Sequence, residues 1–439
     1  MAQKLKFGNG TWATKKGSTL AYNDENNNYK PLPFTTTRNS IGTRVNKEGL
    51  IEVVGNDVPR IDYKDSSDGA LLLENSSTNL IPYSEDFSNA AWDLFRISVT
   101  TENYASPNGS STVKNIIADT SNNTHGIFDF VSASSGIYTS SAFFKANGYN
   151  FACVRISVDG DTKRFSAVID LTNGNVTITD ATGSPTSTSF SVNDYGNGWY
   201  RLSVSCSHSS GSVYLTISPS STSNPTFSSS LPSFLGDGTS GVLVFGAQLE
   251  VGSYPTSYIP TSGSTVQRAA DTASGAGNSE VFNDSEGVLF ADIAALANDS
   301  SLRTITLGDN SSSNAVSFRY DNPNQITLYL NSGGVSQFSA AANVQTLSFN
   351  KCLIKYKAND FSAWVNGFKI GVDTSGIIFP SGTLDRLNFD IGYNSVSPFH
   401  GKTKEIGYYD TALTDAELEY MTSYRSLNEL VTVLNLNTL

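Results

Sequence analysis

The sequence predicts a mainly β protein. Two antiparallel β-sandwich domains of jelly-roll type stand in series, with an irregular N-terminal arm and a short C-terminal helix. Three observations support this. Hydrophobic residues make up 38% and charged residues only 15% of the 439 residues, with 36 glycines among abundant Ser, Thr and Asn. Such a composition suits short strands joined by polar turns. Apolar runs recur at short spacing, and "FSAVIDLTNGNVTITD" sets an Asn-Gly turn between two alternating runs, a strong hairpin signal.

Residues 1–76 are irregular: Asn-rich "NDENNNYKPLPF" precedes "TRVNKEGLIEVVGNDVPRIDY" and the apolar run Ala70 to Leu73. Their apolar surface is too small for an independent core. They are expected to form an anchoring arm that docks elsewhere, on a partner subunit for instance.

Residues 77–262 form the first predicted sandwich, with strands in "GIFDFV", "IYTSSAFFKA", "FACVRISV", "RFSAVIDL", "NVTITD", "WYRLSVSC", "SVYLTISP" and "GVLVFGAQLEV". In the last strand, Leu243, Phe245, Ala247, Leu249 and Val251 are assigned to the core face. Val242, Val244, Gly246, Gln248 and Glu250 are assigned to the other. The proline-rich "SYPTSYIPTS" that follows is read as a closing strap, extended and unable to pair as a central strand, with Tyr254 and Tyr258 packing back on the sandwich. Residues 263–278 are read as a linker.

A second sandwich is predicted over 279–426, from "GVLFADIAAL" to "KTKEIGYYD", with Trp364 inside it. Thr414 and Glu417 form a capping box that predicts a helix over about 415–427, with Leu418 and Met421 on one face. In the tail, 427–439, "LVTVLNLNTL" alternates weakly.

The net charge of −12 argues against nucleic acid and anionic membranes as partners. No apolar run approaches the ~20 residues of a membrane span, and "MAQKLKFGNGTWATKKGS" shows no secretory pattern. The expectation is a soluble chain. Cys153, Cys206 and Cys352 lie in separate apolar runs and read as buried free thiols, compatible with assembly in a reducing cytoplasm.

Several phrases carry a family resemblance. "TRVNKEGLIEVVGNDVPRIDY" through "ALLLENSSTNLIPYSEDFSNAAW" resembles the opening region of many tailed-bacteriophage virion proteins. "GNGWYRLSVS" and "GAQLEVGSYPTSYIPT" are similar to their carbohydrate-binding-module-like sandwich. "NDFSAWVNGFKIG", "LDRLNFDIGY" and "PFHGKTKEIGYYDTALTDAELEYMT" resemble a laminin-G or concanavalin A-like lectin module. The resemblance implies a virion component assembled in the host cytoplasm, a head or tail fibre or decoration subunit. Other virion proteins would be its partners, a homotrimer its assembly, and host-surface polysaccharide its ligand. A depolymerase and a purely architectural decoration protein are the alternatives.

Catalysis finds little support. Glycoside hydrolysis needs two carboxylates about 5–5.5 Å apart for retention, further for inversion, and no Glu-x-Asp-x-Glu strand occurs. His125, His208 and His400 are scattered, with no zinc motif. The expectation is a non-enzyme without cofactor. Asp159 and Asp161 of "DGD" read as turn residues first and as a calcium ligand pair second.

Glycan binding draws on aromatic faces with polar neighbours. Tyr149, Tyr195 and Trp199 are candidates for such a platform, Trp199 because it and Tyr200 must point to opposite sheet faces. Gln248 and Glu250 are candidates on an open sheet face. Their rival role, tying down the strap, is preferred because its backbone amides lie close by.

Overall fold

The computed structural model describes residues 3–23, 28–391 and 396–424. The described chain is mainly β, antiparallel throughout its ladders, with a short helix at Asp415–Thr422. It divides into two compact units. One contains residues 1–41, 54–75 and 269–439, the other residues 42–53 and 76–268.

This division corrects the predicted domain order. The expected arm is built into the sheet of the first unit. Leu5–Gly8 pairs with Gly401–Tyr409, placing Leu5 across from Tyr408 and Phe7 across from Ile406. Ala70–Leu73 pairs with the other end of the same strand. Leu5, Phe7, Phe34, Leu71 and Leu73 are buried in one core with Leu289, Ile354 and Ile406. The strand that Leu5–Gly8 and Ala70–Leu73 pair with lies more than 300 residues further along the same chain. Residues 42–53 part from them: Val45 and Ile51 pack with Phe143, Trp199 and Phe245 of the second unit.

The expected linker is ordered as well. Val266–Arg268 pairs with Ser77–Asn79, and Thr272–Ser274 pairs with Asn28–Thr37. Asp271 between them is buried, and accepts from Arg38 Nη1 at 3.1 Å, from the Glu74 backbone N–H at 3.0 Å and from Arg60.

In the first unit a large sheet runs Glu286–Ala295, Asn350–Lys357, Phe361–Val365, Phe368–Asp373 to one edge, and through Gly401–Tyr409 and Leu5–Gly8 towards the other. It faces a five-stranded sheet of Val335–Asn343, Gln325–Ser332, Ala315–Asn322, Arg303–Gly308 and Arg386–Asn388. Ile305, Leu307, Phe318, Leu328 and Leu330 from this sheet share the core with Leu289, Ile293 and Ile354. Each such side chain contributes about 1.5–3 kcal/mol by leaving water. Trp364 is buried, but in a separate cluster with Val288, Phe290, Leu353, Leu413 and Leu418, beneath the terminal helix. That helix starts where predicted, with the Glu417 carboxylate accepting the Thr414 N–H at 2.8 Å. Residues 425–439, including the alternating tail, lie outside the described residues. No described helix is long and apolar enough to cross a membrane.

The second unit is a sandwich of two six-stranded sheets. One runs Asp93–Phe95, Gly126–Ser132, Ser212–Ser220, Phe151–Val158, Lys163–Asp170, Val176–Thr182. The other runs Ile97–Glu102, Val113–Ala118, Gly241–Val251, Gly136–Asn147, Tyr200–His208, Ser189–Asp194. Ile127, Ile156, Leu215 and Ile217 from the first sheet meet Ile116, Phe144, Val204 and Leu249 from the second. The Asn-Gly hairpin is present, with Gly174 at φ +77°. All three cysteines are free and buried.

The strand Gly241–Val251 departs from the predicted alternation. Gly246 takes φ +60°, and the pairing slips by one residue against Ser141 and Phe143. A bulge of one residue exchanges the faces. Before it, Val242 and Val244 enter the inter-sheet core, while Leu243 and Phe245 turn to Phe143, Trp199 and Tyr258 on the other side. After it, Ala247 and Leu249 enter the core. Val251 is exposed rather than buried. Glycine is required at the bulge, since a Cβ there would stand 2.9 Å from Phe143 Cδ2 at a backbone angle that side chains disfavour.

Candidate functional site

The structure does not gather the predicted glycan-binding residues into an exposed platform: Gln248 bonds Glu250 and Tyr195 packs with Trp199, but in buried surroundings. Gln248 and Glu250 have no exposed surface. Glu250 accepts from Gln248 Nε2 at 2.6 Å, Ser77 Oγ at 2.6 Å, Thr256 N–H at 3.0 Å and Thr256 Oγ1 at 2.6 Å. Gln248 Oε1 accepts the Ile259 N–H at 2.8 Å. They hold the strap, and no ligand reaches them. The strap also carries Tyr258, whose ring is buried against Phe143 and Phe245 while its hydroxyl bonds Ser84 and Glu85 at 2.7 and 2.9 Å.

Trp199 is 2% exposed, and its indole N–H donates to the Ala105 carbonyl at 2.9 Å, so it is core. Tyr195 is half-buried edge-on to Phe143, and Tyr149 is half-buried edge-on to Phe234. Neither tyrosine forms an open platform. Asp159 accepts from Ser209 and Ser210 and pairs with Lys163 at 2.8 Å, closing a turn in which Asp159, Gly160 and Asp161 all have positive φ. Asp161 pairs through both oxygens with Arg164, at 3.0 and 2.9 Å. Among the described residues, no three or more His, Cys, Asp and Glu side chains gather where they could hold a metal ion.

A different site emerges on the outer face of the sheet that carries Arg155. Strand alternation builds it. In Gly126–Ser132, Ile127 points to the core, leaving Phe128 and Phe130 on the other face. In Ser212–Ser220, Val213, Leu215 and Ile217 point in, leaving Tyr214 and Thr216 out. In Phe151–Val158, Val154 and Ile156 point in, leaving Arg155 out. The register places Phe128 and Arg155 on either side of Thr216. Small Thr216 therefore floors a trough between an aromatic wall and a cation.

The wall is a row of rings. Phe95 to Phe128 and Phe128 to Tyr214 are each 6.1 Å between centroids, and Tyr214 stacks on Phe130 at 4.9 Å and 26°. Phe95 lies over Gly126, where a Cβ would come within 2.8 Å of the ring. Phe130 is 46% exposed. The hairpin of Thr226–Ser228 and Leu231–Leu235 covers the far side, with Leu231 packed on Cys153 and Val168. Between them lies a cavity of about 230 Å³, bordered by Phe95, Phe128, Arg155, Asp161, Tyr214 and Ser229 among others.

Arg155 is 8% exposed. Its Nη1 donates to the Ser229 carbonyl at 2.9 Å and its Nη2 to Thr216 Oγ1 at 3.0 Å; its Nε has no partner among the described residues. Asp161 stands 3.9 Å from Nη2. Burial draws Arg155 below its ordinary value, and the Asp161 charge does not make up the difference. For Asp161 itself, burial raises the carboxyl, but Arg164 and Arg155 outweigh it and the net direction is down.

Behind the wall, Asp129 is buried, with Oδ1 accepting the Phe130 N–H at 2.7 Å and Oδ2 unpaired among the described residues. Burial pushes its carboxyl up to about 6, against the Phe130 hydrogen bond and helped by Asp93. An unfolded aspartate titrates near 3.9, so between about pH 4 and pH 6 the folded state binds more protons. The stabilisation is complete below that window and is lost as pH rises through about 6. Asp129→Asn, which resembles the protonated form, is expected to raise the stability of this unit at pH 7 by about 1–2 kcal/mol after allowance for solvent screening. Denaturation curves at pH 4 and pH 7 check this: the difference between the two proteins should nearly vanish at the lower pH.

Of the sequence candidates, only Asp161 borders the cavity, and as a partner of arginine. The other lining residues left faint signals. "FDF" puts two aromatics on one strand face, and "FACVRISV" sets a lone cation in an apolar run.

Both units are antiparallel β-sandwiches. Residues 293–419 match the family model of the concanavalin A-like lectin/glucanases superfamily. No curated protein matches the chain. Among solved structures, the CBM40 of the Ruminococcus gnavus IT-sialidase bound to α2,3 sialyllactose is similar at 15% identity and TM-score 0.29, covering 32% of this chain and 84% of that one. Domain 4 of AbnA, a GH43 extracellular arabinanase from Geobacillus stearothermophilus, in complex with arabinotriose, is similar at 13% identity and TM-score 0.30, over 35% and 73%. Mouse laminin α1 domains LG4-5 are similar at 9% identity and TM-score 0.23, over 70% and 90%.

Proposed function

We propose that the chain is a non-catalytic, glycan-binding structural subunit of a tailed-phage virion, a fibre or decoration protein that engages host-surface polysaccharide through the trough beside Arg155. The observation that carries the binding reading is the row of Phe95, Phe128, Tyr214 and Phe130 beside a polar floor of Thr216 and Arg155. Aromatic faces with a few placed polar groups are what a sugar site requires. The concanavalin A-like lectin/glucanases match over residues 293–419 lies in the other unit and supports a carbohydrate-related chain as a whole. The virion role rests on the resemblance of the opening region and of "GAQLEVGSYPTSYIPT" to phage proteins. Assembly as a homotrimer with other virion proteins belongs to that role.

The test is incubation with capsular and cell-wall polysaccharides of candidate hosts. Retention without release of reducing ends is expected. Release of reducing ends would replace this reading with a depolymerase, and no retention on any glycan would favour a purely architectural protein.

A further inference from the structure

We propose that the ligand of the Arg155 trough carries an anionic group, a carboxylate or sulfate on a sugar ring, seated against the Arg155 guanidinium. The inference rests on the glycan-binding reading and adds a charge to the ligand.

Arg155 is a buried cation whose hydrogen-bond partners are neutral, the Ser229 carbonyl and the Thr216 hydroxyl. The close carboxylate, Asp161, is 3.9 Å away and already accepts two bonds from Arg164. Two guanidinium groups thus share one carboxylate beside an open cavity. Other buried arginines are held in two ways. Arg60 has both Glu74 and Asp271. Arg201 donates to the Thr256 carbonyl and Ser141 Oγ, with its charge on the Phe143 ring. It is held beneath the strap.

Holding a charge away from water with only a shared counter-ion 3.9 Å away is costly. An incoming oxyanion would offset that cost with charge-assisted bonds to a planar donor already fixed in place. The far end of the wall has the opposite sign: exposed Asp93 pairs across from Phe128. An acidic sugar is therefore directed to the Arg155 end, with its neutral ring faces along Phe128 and Tyr214.

The experiment presents the full-length protein with an array of neutral, carboxylated and sulfated glycans, followed by titration of oligogalacturonate and its methyl ester and of any stronger hit with its esterified or desulfated form. Binding confined to acidic glycans is expected, with at least a tenfold loss on neutralising the ligand. Arg155→Lys should weaken that binding about tenfold while melting remains cooperative. Asp161→Asn should tighten it several-fold, an outcome that a merely structural Arg155 would not give. Binding of neutral glycans only, or equal affinity for acid and ester, would overturn the inference and leave the glycan reading standing. A blank array would overturn both.

Discussion

Asp271→Ala is expected to lower the stability of the unit containing residues 269–439 by about 3–5 kcal/mol, the usual cost of leaving a buried charge without its partner. Asp271 joins three separate stretches of chain. It takes Arg38 from the first, and Arg60 and the Glu74 N–H from the second, while itself opening the third. Arg38 and Arg60 are each at most 2% exposed. Burial alone would lower Arg60, but Asp271 and Glu74 hold it above the ordinary arginine value. Amide hydrogen exchange reads the result by region. Protection should fall in Leu5–Gly8, Ala70–Leu73 and Gly401–Tyr409 and persist in Gly136–Asn147 of the other unit. A loss below about 1 kcal/mol would show that the ionic cluster does not hold the N-terminal strands in place.

Glu250→Ala is expected to cost the other unit about 3 kcal/mol, because four donors lose their acceptor inside a fully buried site. Ser77 Oγ, Gln248 Nε2 and the Thr256 N–H and hydroxyl all point at this carboxylate. Glu250→Gln keeps the volume and one oxygen, and about half the loss is expected. Limited proteolysis checks the mechanism: cleavage should appear first within Tyr254 to Ser262. Global unfolding with the strap still protected would mean that Glu250 acts elsewhere.

These two residues also show what the sequence could and could not reveal. The strap itself was legible, because Pro255 and Pro260 forbid a central strand and Gln248 and Glu250 lie within reach of its amides. The capping box at Thr414 was legible for the same local reason, as was the Asn-Gly hairpin. The faces of Gly241–Val251 were not. A single bulge at Gly246 reverses them, and a glycine in an alternating run does not announce a slip of register. Nor was the fate of residues 1–76 legible, since Leu5 and Phe7 find their partners at Tyr408 and Ile406. The trough was the least visible feature. Its wall and floor come from Phe95, Phe128, Arg155, Tyr214 and Thr216, on four strands that become neighbours only when the sheet forms. Trp199 drew attention as a large aromatic beside Tyr200, yet size favours the core, and the rings left facing solvent are phenylalanines and a tyrosine in ordinary strands.

The aromatic wall is proposed to bind sugar. The most direct measurement compares the glycan-array signal of the native chain with that of Tyr214→Ala, both at equal folded concentration. Tyr214 sits between Phe128 and Phe130, so its removal breaks the row while sparing the inter-sheet core. Binding by the native chain is expected, with a loss of about tenfold, ~1.4 kcal/mol, in the variant. Undiminished binding by Tyr214→Ala would contradict the proposal.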